Sequence, residues 1–192
     1  MRLPLTKTTV ARQQLATAIE LFFAGRDAVS IYSLAANAWE VVDALCIKTG
    51  VNSMSIQARG YVPSGKDLKR NYINSPHRNF FKHADNDAEQ ILEPLKQSHV
   101  EGLLFLAVED YIRLNRRSPI QMQVFQLWYL AKHPEKLDPV VAAELIDNVQ
   151  QAFPSLATLP HLNQLSRGAQ MLEKASIDES LLADSRTEPA FE

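Results

Sequence analysis

The chain has 192 residues, of which 46% are hydrophobic and 22% charged, the composition of an ordinary folded protein rather than a disordered one. Its net charge of −2 argues against a general nucleic-acid coat, and charge interrupts every apolar run well short of the roughly 20 residues that cross a bilayer. The single cysteine, Cys46, excludes an internal disulfide, and residues 1–10 lack an apolar leader. We therefore expect a cytoplasmic protein with no membrane contact.

Two long helices are predicted before residue 50. The first covers residues 8–24, where apolar side chains recur at helical spacing, and Gly25 can end it in a left-handed turn. The second covers residues 28–49, between a capping Asp27 and a closing Gly50. Its apolar stripe is unbroken: Ile31, Leu34, Ala35, Ala38, Val41, Val42 and Leu45. This stripe predicts the central helix of the core.

Residues 52–74 are predicted to form a long connecting loop, because they contain Gly60, Pro63, Ser64 and Gly65 and show no sustained period. Cations and aromatic rings alternate here: Arg59, Tyr61, Lys66, Lys69, Arg70 and Tyr72. Such a pattern is typical of surfaces that stack the bases of single-stranded RNA and neutralise its phosphates. The alternatives are a solvated loop and rings that only hold the loop to the core.

A charge asymmetry accompanies this pattern. Six basic residues and one acid lie between Arg59 and His83, so this segment carries +5 and the remainder of the chain carries −7. A local positive field of this kind attracts a polyanion, whereas the rest of the surface repels it.

A further helix is predicted to begin at Ser75-Pro76, because a serine hydroxyl can cap a helix and proline suits the first helical position. Phe80 and Phe81 then fall on one side of the helix. Four polar side chains share the opposite edge: Arg78, Asn79, Lys82 and His83. A guanidinium, an amide, an ammonium and an imidazole together suit the cleavage of a phosphodiester.

The rest of the chain is predicted to be a succession of helices. We expect them at residues 88–95 and 98–115, from Ser118-Pro119, from Asp138-Pro139, and at residues 159–175. No stretch alternates with period two, so the predicted fold class is an all-α helical bundle with additional C-terminal helices. The bundle would cover residues 1–135, a packed helical extension 136–175, and an acidic flexible tail 176–192.

Neither a metal nor a cofactor is predicted. His83, Asp85 and Asp87 have no second His or Cys at ligand spacing, and helix capping accounts for both acids. Glycine-rich phosphate loops and serine nucleophile elbows are also missing from the sequence.

The spacing from Arg78 to His83, with Asn79 directly after the arginine, resembles the Arg-x(4 to 6)-His motif of HEPN domains. These are helical bundles of bacterial toxins, antiphage proteins and RNA-processing nucleases. The resemblance covers these six residues and a compatible helical pattern over residues 10–135. It implies a HEPN-like core and a metal-independent endoribonuclease of the toxin or defence type.

The resemblance also implies a role for each residue of the motif. His83 would act as general base on a ribose 2′-hydroxyl or as acid for the departing 5′-oxygen, and Arg78 would hold the scissile phosphate. Asn79 would orient the phosphate or the imidazole. From the charge of the segment itself, we expect the phosphate backbone to be contacted by Lys82, Lys66, Lys69 and Arg70. Glu40, an acidic residue of an early helix, would contact Arg78 or His83 rather than the RNA.

The resemblance further implies a homodimer. Arg78 and His83 lie about 140° apart on an ideal helix, and HEPN proteins generally complete the site by facing two motifs across a symmetry axis. A cognate antitoxin or nucleotidyltransferase would be the other partner. The alternative is a non-catalytic HEPN-like module for dimerisation, partner binding or RNA binding, with Arg78 paired to Asp85 or Glu40 and His83 capping a helix end.

Overall fold

The computed structural model describes residues 5–83, 85, 88–137 and 143–190. In these ranges the chain is an all-α bundle without a strand, which confirms the predicted fold class. The helices are α1 Lys7–Phe23, α2 Ala28–Thr49, α3 Met54–Arg59, a π-helical segment Leu68–Arg78, α4 Asn79–Lys82, α5 Gln97–Asn115, α6 Ile120–Lys132, α7 Ala143–Ala152, α8 His161–Ser176 and α9 Glu179–Ala183. None of these helices combines the length and apolar character needed to cross a bilayer.

Helix α2 lies at the centre of the bundle, between α1 and α5. Its bounds are those predicted, because the Asp27 carboxylate accepts the Ser30 amide hydrogen at 2.7 Å and Gly50 ends the helix with a φ of +70°. The indole of Trp39 is fully buried in the middle of the helix, and its Nε1 donates to the Ser55 hydroxyl at 2.8 Å. Helix α2 is thus the scaffold on which residues 53–83 are arranged.

The later helices share this core. Helix α6 packs on α1 and α5, and α7 and α8 pack on α6. Phe22 of α1 meets Trp128 of α6 edge to face, with ring centroids 5.2 Å apart. Buried side chains of α7 and α8, such as Val149 and Leu165, belong to the same hydrophobic cluster. Helices α7 and α8, which belong to the predicted C-terminal extension, therefore share the core of the bundle.

Gly168 lies where α8 packs closely against α1, because a Cβ built there would overlap the ring of the buried Phe23. We expect Gly168→Ala to lower the free energy of unfolding by about 1–3 kcal/mol, the usual cost of overpacking. Gly102→Ala in α5 is the matched control. A Cβ at Gly102 meets nothing within 4 Å, so this variant should gain about 0.5–1 kcal/mol. Urea unfolding measures both, and equal effects would contradict the close approach.

Two short-range predictions differ from the structure. The predicted loop 52–74 contains α3 and most of the π-helical segment, because Ser53 and Asp67 cap them; their side chains accept amide hydrogens at 3.1 Å and 2.7 Å. Elements this short show no period. The predicted helix 88–95 is wrong, since its residues are not helical, and Pro94 disfavours helical backbone before it. The predicted helix start at Asp138-Pro139 lies outside the described residues.

The described part of the acidic segment predicted to be flexible, residues 176–190, contains α9 and then packs against the body. Thr187 is buried and forms an isolated parallel bridge with Ser118, which precedes α6. Glu188 pairs with Arg12 of α1. The sequence of the segment alone cannot reveal this docking, because its partners lie far away in the chain.

Candidate functional site

The Arg78–His83 motif follows a break in the helical backbone. Ser75 is extended, with φ −102° and ψ 138°, and residues 76–82 are helical. The backbone therefore turns at the predicted helix start, with Pro76 first in the new helical stretch. His83 leaves the helix with φ −128° and ψ 134°.

Arg78 is buried, with only 5% of its side chain exposed. Its Nη1 donates to Asn74 Oδ1 at 2.8 Å, and its Nη2 donates to Asn37 Oδ1 at 2.9 Å. Nη2 also lies 2.5 Å from Glu40 Oε2. The guanidinium thus faces α2, with its charge balanced inside the fold. In this position it meets protein oxygens where a phosphate was expected.

Glu40 joins Arg78 to a second base, Lys69, whose ammonium pairs with Oε1 of the same carboxylate. Burial alone would raise the pKa of Glu40, but the hydrogen bonds from Lys69 and Arg78 outweigh it and hold the pKa below its usual value. The carboxylate is therefore charged at neutral pH. The structure places Glu40 in direct contact with the motif arginine.

A third basic residue, Arg59, pairs with the same edge of α2. Asp43 accepts two hydrogen bonds from the Arg59 guanidinium, at 2.9 Å and 2.5 Å. Asn37, Glu40 and Asp43 are spaced three residues apart, so they line one edge of the helix and bind residues 59–78. The sequence places these three side chains away from the apolar stripe, but only the tertiary structure shows which bases they meet.

These pairs change the local charge. Six bases set against Asp67, Glu40 and Asp43 leave a net charge of +3, in place of the +5 counted along the segment alone. The exposed bases that remain are Lys66, Arg70 and Lys82, which we call the basic edge. Among the described residues, no ion pair engages these three side chains. Lys69 is half-exposed but already paired with Glu40.

His83 and Asn79 are both exposed. The His83 amide donates to the Asn79 carbonyl at 3.1 Å, and no described residue binds the imidazole. Since Arg78 is buried and His83 is in solvent, a single copy does not bring the two groups into one open cleft. His83 stands instead directly after Lys82 of the basic edge.

Aromatic residues hold the motif segment to α2. The Tyr32 hydroxyl donates to the Ile73 carbonyl at 2.9 Å, and burial raises the pKa of Tyr32 to about 12. Phe81 packs edge to face on Tyr32, with centroids 6.4 Å apart. No periodic signal in the sequence points to Tyr32, because it lies 41 residues before its acceptor.

Tyr61 and Tyr72 behave differently. They are 90% and 49% exposed, respectively, so neither ring is buried in the core. They flank Lys66 and Arg70 in the sequence, and both of these basic side chains are also exposed.

The structure describes two of the three residues considered as metal ligands. His83 and Asp85 are exposed, and Asp87 lies outside the described residues. Within the described ranges, no three His, Cys, Asp or Glu side chains are grouped to hold a metal ion.

No family model, curated protein or solved structure matches the chain. The resemblance to HEPN domains therefore rests on the sequence alone, that is, on the motif residues and the helical pattern of residues 10–135.

Proposed function

We propose that the chain is a HEPN-like helical module that binds RNA along the basic edge of Lys66, Arg70 and Lys82. The observation that carries this proposal is the division of the bases into two sets. Arg78 and Arg59 are bound by carboxylates of α2, whereas the basic edge is exposed. Exposed cations gain affinity for a polyanion by releasing its counterions, and a guanidinium paired inside the fold does not.

Binding is tested with a fluorescent single-stranded RNA of about 12 nucleotides, within the usual site size of such proteins. The triple variant Lys66→Gln, Arg70→Gln, Lys82→Gln should weaken binding about tenfold or more, because three phosphate contacts are lost. The matched control, Lys7→Gln, Lys48→Gln, Lys136→Gln, removes the same charge from exposed positions on other elements. Equal losses of RNA affinity in the two triple variants would show that only the net charge of the protein matters, which would contradict the proposal.

A second candidate function is a metal-independent endoribonuclease of the toxin or defence type, and the exposed ring of His83 favours it. An imidazole beside bound phosphate can take the proton of a 2′-hydroxyl near neutral pH. In the catalytic proposal, Lys82 or a second copy of the chain stabilises the negative charge on the scissile phosphate, because Arg78 is paired with Glu40. A homodimer, a cognate antitoxin or nucleotidyltransferase and a cytoplasmic location belong to this proposal.

Cleavage is tested with His83→Ala. We expect its cleavage rate to fall by about 100-fold or more, the usual contribution of a general acid or base, while its RNA affinity is retained. His99→Ala is the control, because His99 is also exposed but lies outside the motif. Cleavage by His83→Ala at the wild-type rate would contradict catalysis. If the wild type binds RNA without cleaving it, the result favours the non-catalytic RNA-binding module over the nuclease.

A further inference from the structure

Residues 184–187 form a turn, in which the Thr187 amide donates to the Asp184 carbonyl at 2.9 Å, and the chain then pairs with Ser118 just before α6. The Ser118 amide donates to the Arg186 carbonyl at 3.0 Å, and the Glu188 amide donates to the Ser118 carbonyl at 3.0 Å. These two bonds form a short parallel bridge. Peptides that add to an exposed edge are recognised through main-chain bonds of this kind, with side-chain pockets giving specificity.

The side chains around this bridge recognise one carboxylate. Glu188 lies 2.7 Å from Arg12 Nε and accepts hydrogen bonds from the Tyr111 hydroxyl at 3.1 Å on each oxygen. Arg12 is 5% exposed and Tyr111 is 1% exposed, so both are built into the body of the protein. The contact is thus a buried polar receptor for an acidic side chain.

The preceding residue is recognised as well. Arg117 donates to the Thr187 carbonyl at 2.7 Å, and Gln123 Nε2 donates to the Thr187 hydroxyl at 3.0 Å. We call the set formed by Arg12, Tyr111, Arg117, Ser118 and Gln123 the acceptor groove. Arg12 and Arg117 both contact this segment, so the groove presents basic side chains to it.

The chain that leads to this segment is loosely attached. Every residue from 176 to 183, including all of α9, is exposed, whereas Ala175 before it and Thr187 after it are buried. Detaching residues 184–190 would therefore break the contacts of the groove and uncover Tyr111, whereas the connector itself contains no buried residue. A connector of this type lets the same segment enter the groove of another copy.

We propose that the acceptor groove is a recognition site for an acidic peptide, and that its partner in trans is residues 184–190 of a second copy of the chain. Exchange between two copies preserves each contact of the groove, as in other swapped dimers. The segment of the same chain competes at the millimolar effective concentration typical of short tethers. The groove is therefore closed in a single copy and opens when that internal contact is weakened.

The test uses the full chain and a labelled peptide with the sequence of residues 184–190, which represents the segment of a second copy. Glu188→Gln in the protein weakens the internal competitor, so the peptide should bind this variant about tenfold more tightly than the wild type. The matched control is Glu179→Gln, the same change on exposed α9, which should bind as the wild type does. Fluorescence anisotropy gives both affinities.

Two further measurements identify the groove as the site. A peptide in which Gln replaces Glu188 should lose its binding to the Glu188→Gln protein. Adding Gln123→Ala to that protein, which removes the bond to the Thr187 hydroxyl, should weaken the original peptide severalfold without changing the helical circular-dichroism signal. The proposal is overturned if the peptide does not bind the Glu188→Gln protein, or if that protein binds it no better than Glu179→Gln does.

Discussion

Arg78→Ala should lower the free energy of unfolding by about 3 kcal/mol, because removing one partner of a buried charge pair leaves polar groups without compensation. The Arg78 side chain is 5% exposed, and its loss would leave Asn37 and Asn74 without their donor and Glu40 with Lys69 alone. Urea unfolding at neutral pH measures the loss. Lys82→Ala, an exposed change four residues later, should stay within about 0.5 kcal/mol of the wild type.

This result separates two roles for the motif arginine. If the Arg78 guanidinium were exposed and free to bind phosphate, its removal would not lower stability. An unchanged unfolding curve for Arg78→Ala would therefore contradict its structural role. Arg78→Lys sharpens the comparison, because an ammonium keeps the charge but lacks the planar fork that reaches Asn37, Asn74 and Glu40 together. We expect this variant to recover only part of the lost stability.

Lys132→Met should cost about 3 kcal/mol, because it leaves a buried carboxylate without its main counter-charge. The Glu101 side chain is 3% exposed, and both of its oxygens lie 2.7 Å from Lys132 Nζ. The nearest imidazoles, those of His133 and His161, are 3.9 Å away. Thermal or urea unfolding measures the effect, with the exposed Lys136→Met as the control.

A double variant isolates the pair. When Glu101→Met accompanies Lys132→Met, both polar partners are gone, and most of the lost stability should return. If the double variant were as unstable as Lys132→Met, the loss would come from packing rather than from the uncompensated charge. An unfolding midpoint of Lys132→Met equal to that of Lys136→Met would contradict the interaction altogether.

The sequence predicted the parts of the fold that have local causes. The bounds of α2 follow from Asp27 and Gly50, and the turn before the motif follows from Ser75 and Pro76, because caps and proline act on neighbouring residues. The burial of Arg78 could not be predicted in this way. On its own helix the arginine lies on the polar edge, and it is covered only because α2 presents Asn37 and Glu40 to it.

The same reason explains what was missed elsewhere. Helix α3 is too short to show a period, and Ser55 within it is fixed by Trp39 and by the Asp110 carboxylate, which accepts its amide hydrogen at 3.0 Å. The docking of residues 184–190 depends on Arg12, a residue more than 170 positions away. Contacts between distant segments leave no spacing pattern in a single sequence.

The salt dependence of RNA affinity tests most directly whether the basic edge, and not the buried arginine, meets the phosphates. Three neutralised phosphates of a single strand should give a slope of about −2 in a plot of log affinity against log salt. We predict that this slope falls toward zero in the triple variant of Lys66, Arg70 and Lys82. A slope that is unchanged in that variant would contradict RNA binding at this site.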